Sequence, residues 1–144
     1  MRNNYFKTAP EVAAAMLALE KANEHLTLPQ NIKELIKLRA SQINGCAYCV
    51  DMHFADMVKM AMDIRKINAV CVWRETPFFD ERERMALLWT ETLTEVSVKH
   101  APIEIYEQVA AQFNEQEMAE LTLAIATINA WNRFGVGFGF EPKA

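Results

Sequence analysis

Along this chain apolar residues recur at intervals of three and four, the spacing of one face of a helix, and nowhere do they alternate long enough to predict a strand. Pro10, following Thr8, reads as an early helical residue and opens a helix to about Asn23, with Val12, Met16, Leu19 and Asn23 on one stripe. Thr27 with Pro29 predicts the start of a second helix, running to about Asn44. Its apolar positions Ile32, Leu35, Ile36 and Leu38 alternate with Lys33, Lys37 and Arg39. Gly45 then suits the C′ position, where a left-handed backbone carries no steric cost. A third helix is expected from about Cys46 to about Met62, burying some of Phe54, Met57, Val58 and Ala61. Asp63–Asn68 reads as a turn with a short helix, and Thr76–Phe79 as a connector. Asp80 and Glu83 form a capping-box signature ahead of a stripe made by Met85, Leu88, Trp89 and Leu93. Pro102 opens a helix through Phe113, and Asn114 with Glu117 repeats the capping signature before a last helix ending near Arg133. The segment Phe134–Phe140 is aromatic but too glycine-rich for a helix, so it is expected to be an arm, packed on its own domain or on another subunit. The pattern gives an all-α, single-domain bundle of about six to seven helices over residues 1–144, with no repeat, linker or low-complexity tract.

Composition narrows the picture. The chain is 51% hydrophobic and 24% charged, enough apolar material for a proper core and inconsistent with disorder. Three of its 4 glycines lie in the tail, which leaves Gly45 alone in the body and argues against a barrel or sandwich. A net charge of -4 offers no basic footprint for nucleic acid. No apolar run approaches the roughly 18 residues of a membrane span. Val12–Leu19, bracketed by Glu11 and Glu20, reads as a helix face rather than a leader, and the protein is read as cytoplasmic. Nothing in the sequence asks for a cofactor.

With only 3 cysteines a disulfide scaffold is excluded, so each cysteine needs its own account. Cys46-Ala-Tyr-Cys49-Val-Asp-Met-His53 is the informative passage. On a helix starting at Cys46, residues 46, 49 and 53 fall at about 0°, −60° and −20° around the axis. The two cysteine Cα atoms then lie about 5 Å apart, inside the disulfide window. His53 is one turn beyond Cys49, about 6 Å away, but about 10.5 Å along the axis from Cys46, so the base belongs to Cys49. A helix N-terminus also favours the thiolate. A bridge closing so short a loop contributes little chain-entropy stabilisation and suits redox cycling better than holding a fold. Glu34 and Ser41 share a face of the preceding helix, which turns back at Gly45 and could bring a carboxylate to the histidine and thiol. Two alternatives compete: packed core cysteines, and a zinc site of Cys46, Cys49 and His53 with an open fourth position. The zinc site would draw all its ligands from one helix. Covalent haem attachment would need a histidine at position 50, where Val50 stands.

Glu34 followed by Cys46-x-x-Cys49-x-x-x-His53 resembles the motif of the alkylhydroperoxidase-D-like branch of the carboxymuconolactone decarboxylase superfamily. Ser41-Gln-Ile-Asn44-Gly and Thr127-Ile-Asn-Ala-Trp-Asn-Arg133 are similar to that family as well. The resemblance implies an all-helical fold in symmetric homo-oligomers, often trimers or hexamers, with thiol peroxidase or disulfide-reductase chemistry. It further implies Cys49 as the peroxidatic thiolate, activated by His53 and Glu34, and Cys46 as the resolving thiol. The pattern departs at Ala47 and Tyr48, where some members carry a histidine. The reading is a thiol-dependent peroxidase: a hydroperoxide oxidises Cys49, Cys46 closes the disulfide, and an external dithiol or disulfide-reductase protein reduces it. A non-enzymatic redox sensor and a metal-binding protein are the alternatives from other classes. Cys71 is expected in the core, as are Trp89 and Trp131; His25 and His100 are expected at helix ends. Met52, Met57, Met60 and Met62 are expected to pack the CxxC helix or to line an apolar pocket.

Overall fold

The structure is a computed structural model whose described residues are 1–143. Its elements are helices throughout: α1 (Tyr5–Thr8), α2 (Pro10–Glu24), α3 (Gln30–Asn44), α4 (Ala47–Lys59), α5 (Ile64–Asn68), a 3₁₀ segment (Ala69–Glu75), α6 (Glu81–Thr94), α7 (Val96–Lys99), α8 (Ile103–Ala110) and α9 (Glu115–Phe138). The four-residue helices α1 and α7 carry too few positions to show a period, which is why the sequence predicts fewer helices. Both expected capping boxes are formed: Asp80 with Glu83 opens α6, and Asn114 with Glu117 opens α9. Thr27 does not start α3, which is capped at Pro29. Instead its backbone N–H and hydroxyl donate to the Glu120 carboxylate at 2.8 and 3.0 Å, tying the α2–α3 loop to α9.

α3 is the axis of the molecule, because it buries two faces. Ile32, Ile36 and Ala40 enter a core with Trp89 of α6, Val109 of α8 and Leu121, Ile125 and Ile128 of α9. Leu35 and Leu38, on the other face, enter a second core with Met57, Ile67, Val70, Trp73 and Leu87. Glu91 of α6 sits where the second core meets the surface and gathers three donors: Trp73 Nε1 at 2.9 Å, Arg39 Nε at 2.8 Å and Arg74 Nη1 at 2.6 Å. Burial alone would raise its pKa, but these donors and the Arg39 charge outweigh it and hold the carboxyl below the ordinary value.

Two expectations need correction. Phe134–Phe140 is not an arm: α9 continues through Phe138, and Gly139 closes it in the left-handed conformation with φ 64°. Glycine weakens a helix but does not forbid one when packing demands it. At Gly135 the demand is explicit, since a Cβ there would stand 2.6 Å from Cys46 Sγ and 3.3 Å from Cys49 Sγ. The aromatic residues do pack on their own domain, with Phe134 and Phe138 centroids 4.9 and 5.4 Å from the ring of Tyr5. Cys71 is not a core thiol either. The 3₁₀ segment turns it outward, where it is exposed, while Val70 and Trp73 face in. On α4 only Met57 of the expected apolar set is buried; Phe54, Val58 and Ala61 are exposed. Trp89 is buried as expected, whereas Trp131 is half-buried.

Two predictions follow from this packing. Glu91 titrates below its unfolded-state value of about 4.3 in the folded chain. Its stabilisation is therefore complete above that value and is lost as pH falls through the folded one. Urea midpoints should be flat between about pH 7 and 5 and should decline below about 4. Glu91→Gln should lower stability on the order of 1.5–3 kcal/mol at neutral pH and flatten the acid decline. The second concerns the glycines of α9. Gly137→Ala adds a methyl into open space and should stabilise by about 0.5–1 kcal/mol. Gly135→Ala should destabilise by about 1–3 kcal/mol, because bridged sulfurs cannot move aside. Thermal unfolding of the two variants side by side reads the opposite signs.

Candidate active site

The site begins at the corner between α3 and α4. Gly45 takes φ 67° and ψ 31°. Its N–H bonds Gln42 O at 3.3 Å and the Cys46 N–H bonds Ser41 O at 3.0 Å, the paired closure of a Schellman motif. Cys46 is thus the residue that leaves α3 and also the N-cap of α4, and the helix proper starts at Ala47, one position after the start read from the sequence. Its Sγ accepts from the Cys49 N–H at 3.4 Å. The corner is pinned to α9 by buried amides. Asn132 Nδ2 donates to Ser41 Oγ at 2.9 Å, and Asn44 Nδ2 donates to Asn129 Oδ1 and Asn132 Oδ1 at 3.0 and 2.9 Å. Asn132 lies three residues before Gly135, so the same stretch of α9 that grips the corner also lies against the sulfurs.

Cys46 and Cys49 are joined in a disulfide with Cα atoms 5.3 Å apart, close to the distance expected from helix geometry. Both are buried, at 2% and 3% exposure. One turn along α4, His53 turns toward α3, and its Nδ1 lies 3.0 Å from Glu34 Oε2. Glu34 is buried, and its other oxygen accepts from Gln30 Nε2 at 3.1 Å and Lys37 Nζ at 3.3 Å. Burial raises the Glu34 carboxyl, but the His53 hydrogen bond and the Lys37 charge more than offset it, leaving it below the ordinary carboxylate value. An ionised carboxylate only accepts, so Nδ1 carries a proton, and in the neutral imidazole the lone pair is then on Nε2. That Nε2 is buried and has no hydrogen-bond partner. The structure therefore brings Glu34, Cys46, Cys49 and His53 together, in the order the spacing suggests.

The charged chain extends further than the sequence reveals. Lys37 also reaches Glu20 Oε1 at 3.5 Å, and Glu20 Oε2 accepts from Trp131 Nε1 at 2.9 Å. A cavity of about 390 Å³ opens over Cys49 and His53, with walls from Tyr5, Tyr48, Met52, Trp131 and Phe140. Phe140 reaches it through a second Schellman closure, Gly139 N–H to Val136 O at 3.2 Å and Phe140 N–H to Gly135 O at 2.8 Å. Tyr5, Gly135 and Phe140 carry no reactive spacing, and a lone tyrosine or glycine signals nothing until the ends of the chain are brought to α4. Glu34, His53 and Asp56 offer ligand atoms within 4.8 Å of one another. Glu34 is already saturated by His53, Gln30 and Lys37, and an ammonium beside it disfavours a cation. With the cysteines bonded to each other, neither has a thiolate to give to zinc.

Residues 10–92 match the carboxymuconolactone decarboxylase family. The chain is 36% identical over 138 residues to the uncharacterized protein YdfG of Bacillus subtilis strain 168, covering 96% of this chain and 94% of that one. It superposes on ATU0492 of Agrobacterium tumefaciens with a TM-score of 0.96 and 41% identity over 99% of both chains. That protein is of unknown function and has been suggested to be the antioxidant defence protein AhpD. The debrominase Bmp8 in its apo form shares the fold at a TM-score of 0.85 and 23% identity, over 95% of this chain and 74% of its own. No helix among the described residues is long and apolar enough to cross a membrane. On the family match and the agreement of the whole fold, the chain belongs to the carboxymuconolactone decarboxylase family, in its alkylhydroperoxidase-D-like branch.

Proposed function

We propose that the protein is a thiol-dependent peroxidase in which Cys49 attacks and Cys46 resolves. The observation that carries this reading is the unpartnered, buried Nε2 of His53, one turn from Cys49 and held as a base by Glu34. In the reduced protein the imidazole takes the Cys49 proton. The thiolate attacks the distal oxygen of a hydroperoxide, so that an S–O bond forms and the O–O bond breaks. The departing alkoxide takes the proton from His53 and leaves as an alcohol, and Cys49 is now a sulfenic acid. Cys46 attacks that sulfur, an S–S bond forms and water leaves. An external dithiol or a disulfide-reductase protein returns the two electrons by exchange. Cys46 suits the role of leaving thiolate in that exchange, since as N-cap it receives the Cys49 N–H.

The need for a thiol reductant fits a cytoplasmic setting. Exposed Phe54, Val58, Met60 and Ile64 on α4 and its continuation support a homo-oligomer, a trimer or hexamer, in which these side chains are covered. A redox sensor would instead present its disulfide to a partner surface, whereas here both sulfurs are buried behind a cavity of small-molecule size.

Trapping the intermediate tests the roles. In Cys46→Ser, one equivalent of hydroperoxide should leave a sulfenic acid on Cys49 that a dimedone-type probe labels. Cys49→Ser should show neither label nor turnover with a small dithiol, and Cys71→Ser should turn over within about twofold of the wild type because its thiol is outside the site. An adduct on Cys46 at a comparable rate in Cys49→Ser would reverse the roles. One stoichiometric oxidation without turnover in the wild type would make the protein a sensor.

A further inference from the structure

The thiols, the histidine and Glu34 lie within residues 10–92, but much of the wall above them does not. Tyr5 comes from α1, and Trp131 and Phe140 come from α9 and its closing turn. These rings support one another: Tyr5 lies parallel to Phe140 at 6.1 Å between centroids, and Tyr48 meets Phe140 edge-on at 5.7 Å. The cavity volume of about 390 Å³ is far larger than hydrogen peroxide requires, since a water molecule occupies about 30 Å³.

Charge and polarity define the occupant further. Lys37 is the one ammonium on the wall among the described residues, and it is held between Glu20 and Glu34. Asp56, also on the wall, is a carboxylate whose partner Lys59 lies outside it. An entering anion therefore finds no free counter-charge and meets carboxylates instead. Besides His53 Nε2, one buried polar atom of the wall residues lacks a partner: the Tyr5 hydroxyl, in a residue only 2% exposed. Burial and the neighbouring Tyr48 raise its pKa, so it remains a donor at neutral pH. A buried hydroxyl without a partner is unfavourable, and a ligand that accepts from it relieves that cost.

We infer that this cavity takes a neutral molecule with an aryl or branched-alkyl body and one hydroxyl-type oxygen, that Tyr5 donates its hydroxyl hydrogen to that oxygen, and that carboxylates are rejected. Applied to the proposed peroxidase, the substrate class is neutral bulky hydroperoxides rather than hydrogen peroxide or fatty-acid hydroperoxides. The assignment rests on that reading only for the chemistry at Cys49, because the binding preference needs no turnover.

Three unreactive probes separate the two claims: 2-phenyl-2-propanol, isopropylbenzene and 4-isopropylbenzoate, titrated into the disulfide form while the methyl signals of Met52 and Ile128 are followed by NMR. The alcohol should give saturable shifts at both methyls, and the benzoate should bind at least about tenfold more weakly. Tyr5→Phe should weaken the alcohol about three- to tenfold and leave isopropylbenzene unchanged, which also shows that the variant is folded. Equal binding of alcohol and benzoate overturns the inference, as does an equal loss of alcohol and isopropylbenzene in Tyr5→Phe or the absence of saturable shifts in the wild type. If the probes bind in the expected order and no hydroperoxide is turned over, the inference stands and the peroxidase reading falls. If cumene hydroperoxide is turned over no faster than linoleic acid hydroperoxide, the peroxidase stands and the inference falls.

Discussion

The left-handed corner at Gly45 is the constraint on which the site depends. It reverses the chain between α3 and α4 so that a carboxylate on one helix meets an imidazole on the other at 3.0 Å. A residue with a side chain would resist φ 67°, and without that backbone the N–H groups of Gly45 and Cys46 could not close α3 as they do. The corner also sets where the sulfurs stand, since Cys46 belongs to both helices at once. Its position is then fixed from outside by Asn129 and Asn132 of α9, whose side-chain oxygens both accept from Asn44, while Asn132 also donates to Ser41. Gly135 follows one turn later because nothing larger fits beside the bridge.

From this frame the electrostatics follow. A carboxylate buried as deeply as Glu34 would ordinarily take up a proton, but three donors surround it and keep it charged. Its charge holds a proton on Nδ1, and Nε2 stands buried and unpartnered in a residue that lines the cavity. Lys37 is shared with Glu20, so the ion cluster that orients His53 reaches toward the surface, where the Glu20 side chain is 37% exposed. The same sharing denies any ligand a free cation. One arrangement thus orients His53 and leaves the cavity wall without an unpaired ammonium.

Much of this was legible in the sequence, and the reasons differ by element. The capping boxes at Asp80 and Asn114 and the glycine at 45 are local signals, each satisfied by hydrogen bonds within a few residues, and they appear where expected. Cys46, Cys49 and His53 were legible because helix spacing alone places them on one face. Glu34 needed the family motif, since between Lys33 and Lys37 it looks like a solvated charge and only the tertiary corner buries it. The helical course of Phe134–Phe138 was hidden because composition argues against it, and the contact that decides the matter, a helix glycine against a disulfide, joins residues about 90 positions apart. Cys71 has no local signal for a related reason: Ala69–Trp73 is apolar throughout, and the course of the 3₁₀ segment, broken by a non-helical backbone at Val72, selects which side chains turn in. Tyr5 had no signal at all, for its meaning comes from the cavity that α9 completes.

The central claim is that Glu34, acting through His53, makes Cys49 a thiolate. It is tested most directly by following thiolate absorbance near 240 nm against pH in the reduced Cys46→Ser, Cys71→Ser protein, with and without Glu34→Gln. The account predicts that Cys49 ionises well below the ordinary thiol range when Glu34 is present, and that Glu34→Gln moves the transition upward by about one pH unit or more. An ordinary thiol titration in both proteins, or a low one that ignores the loss of Glu34, would contradict it.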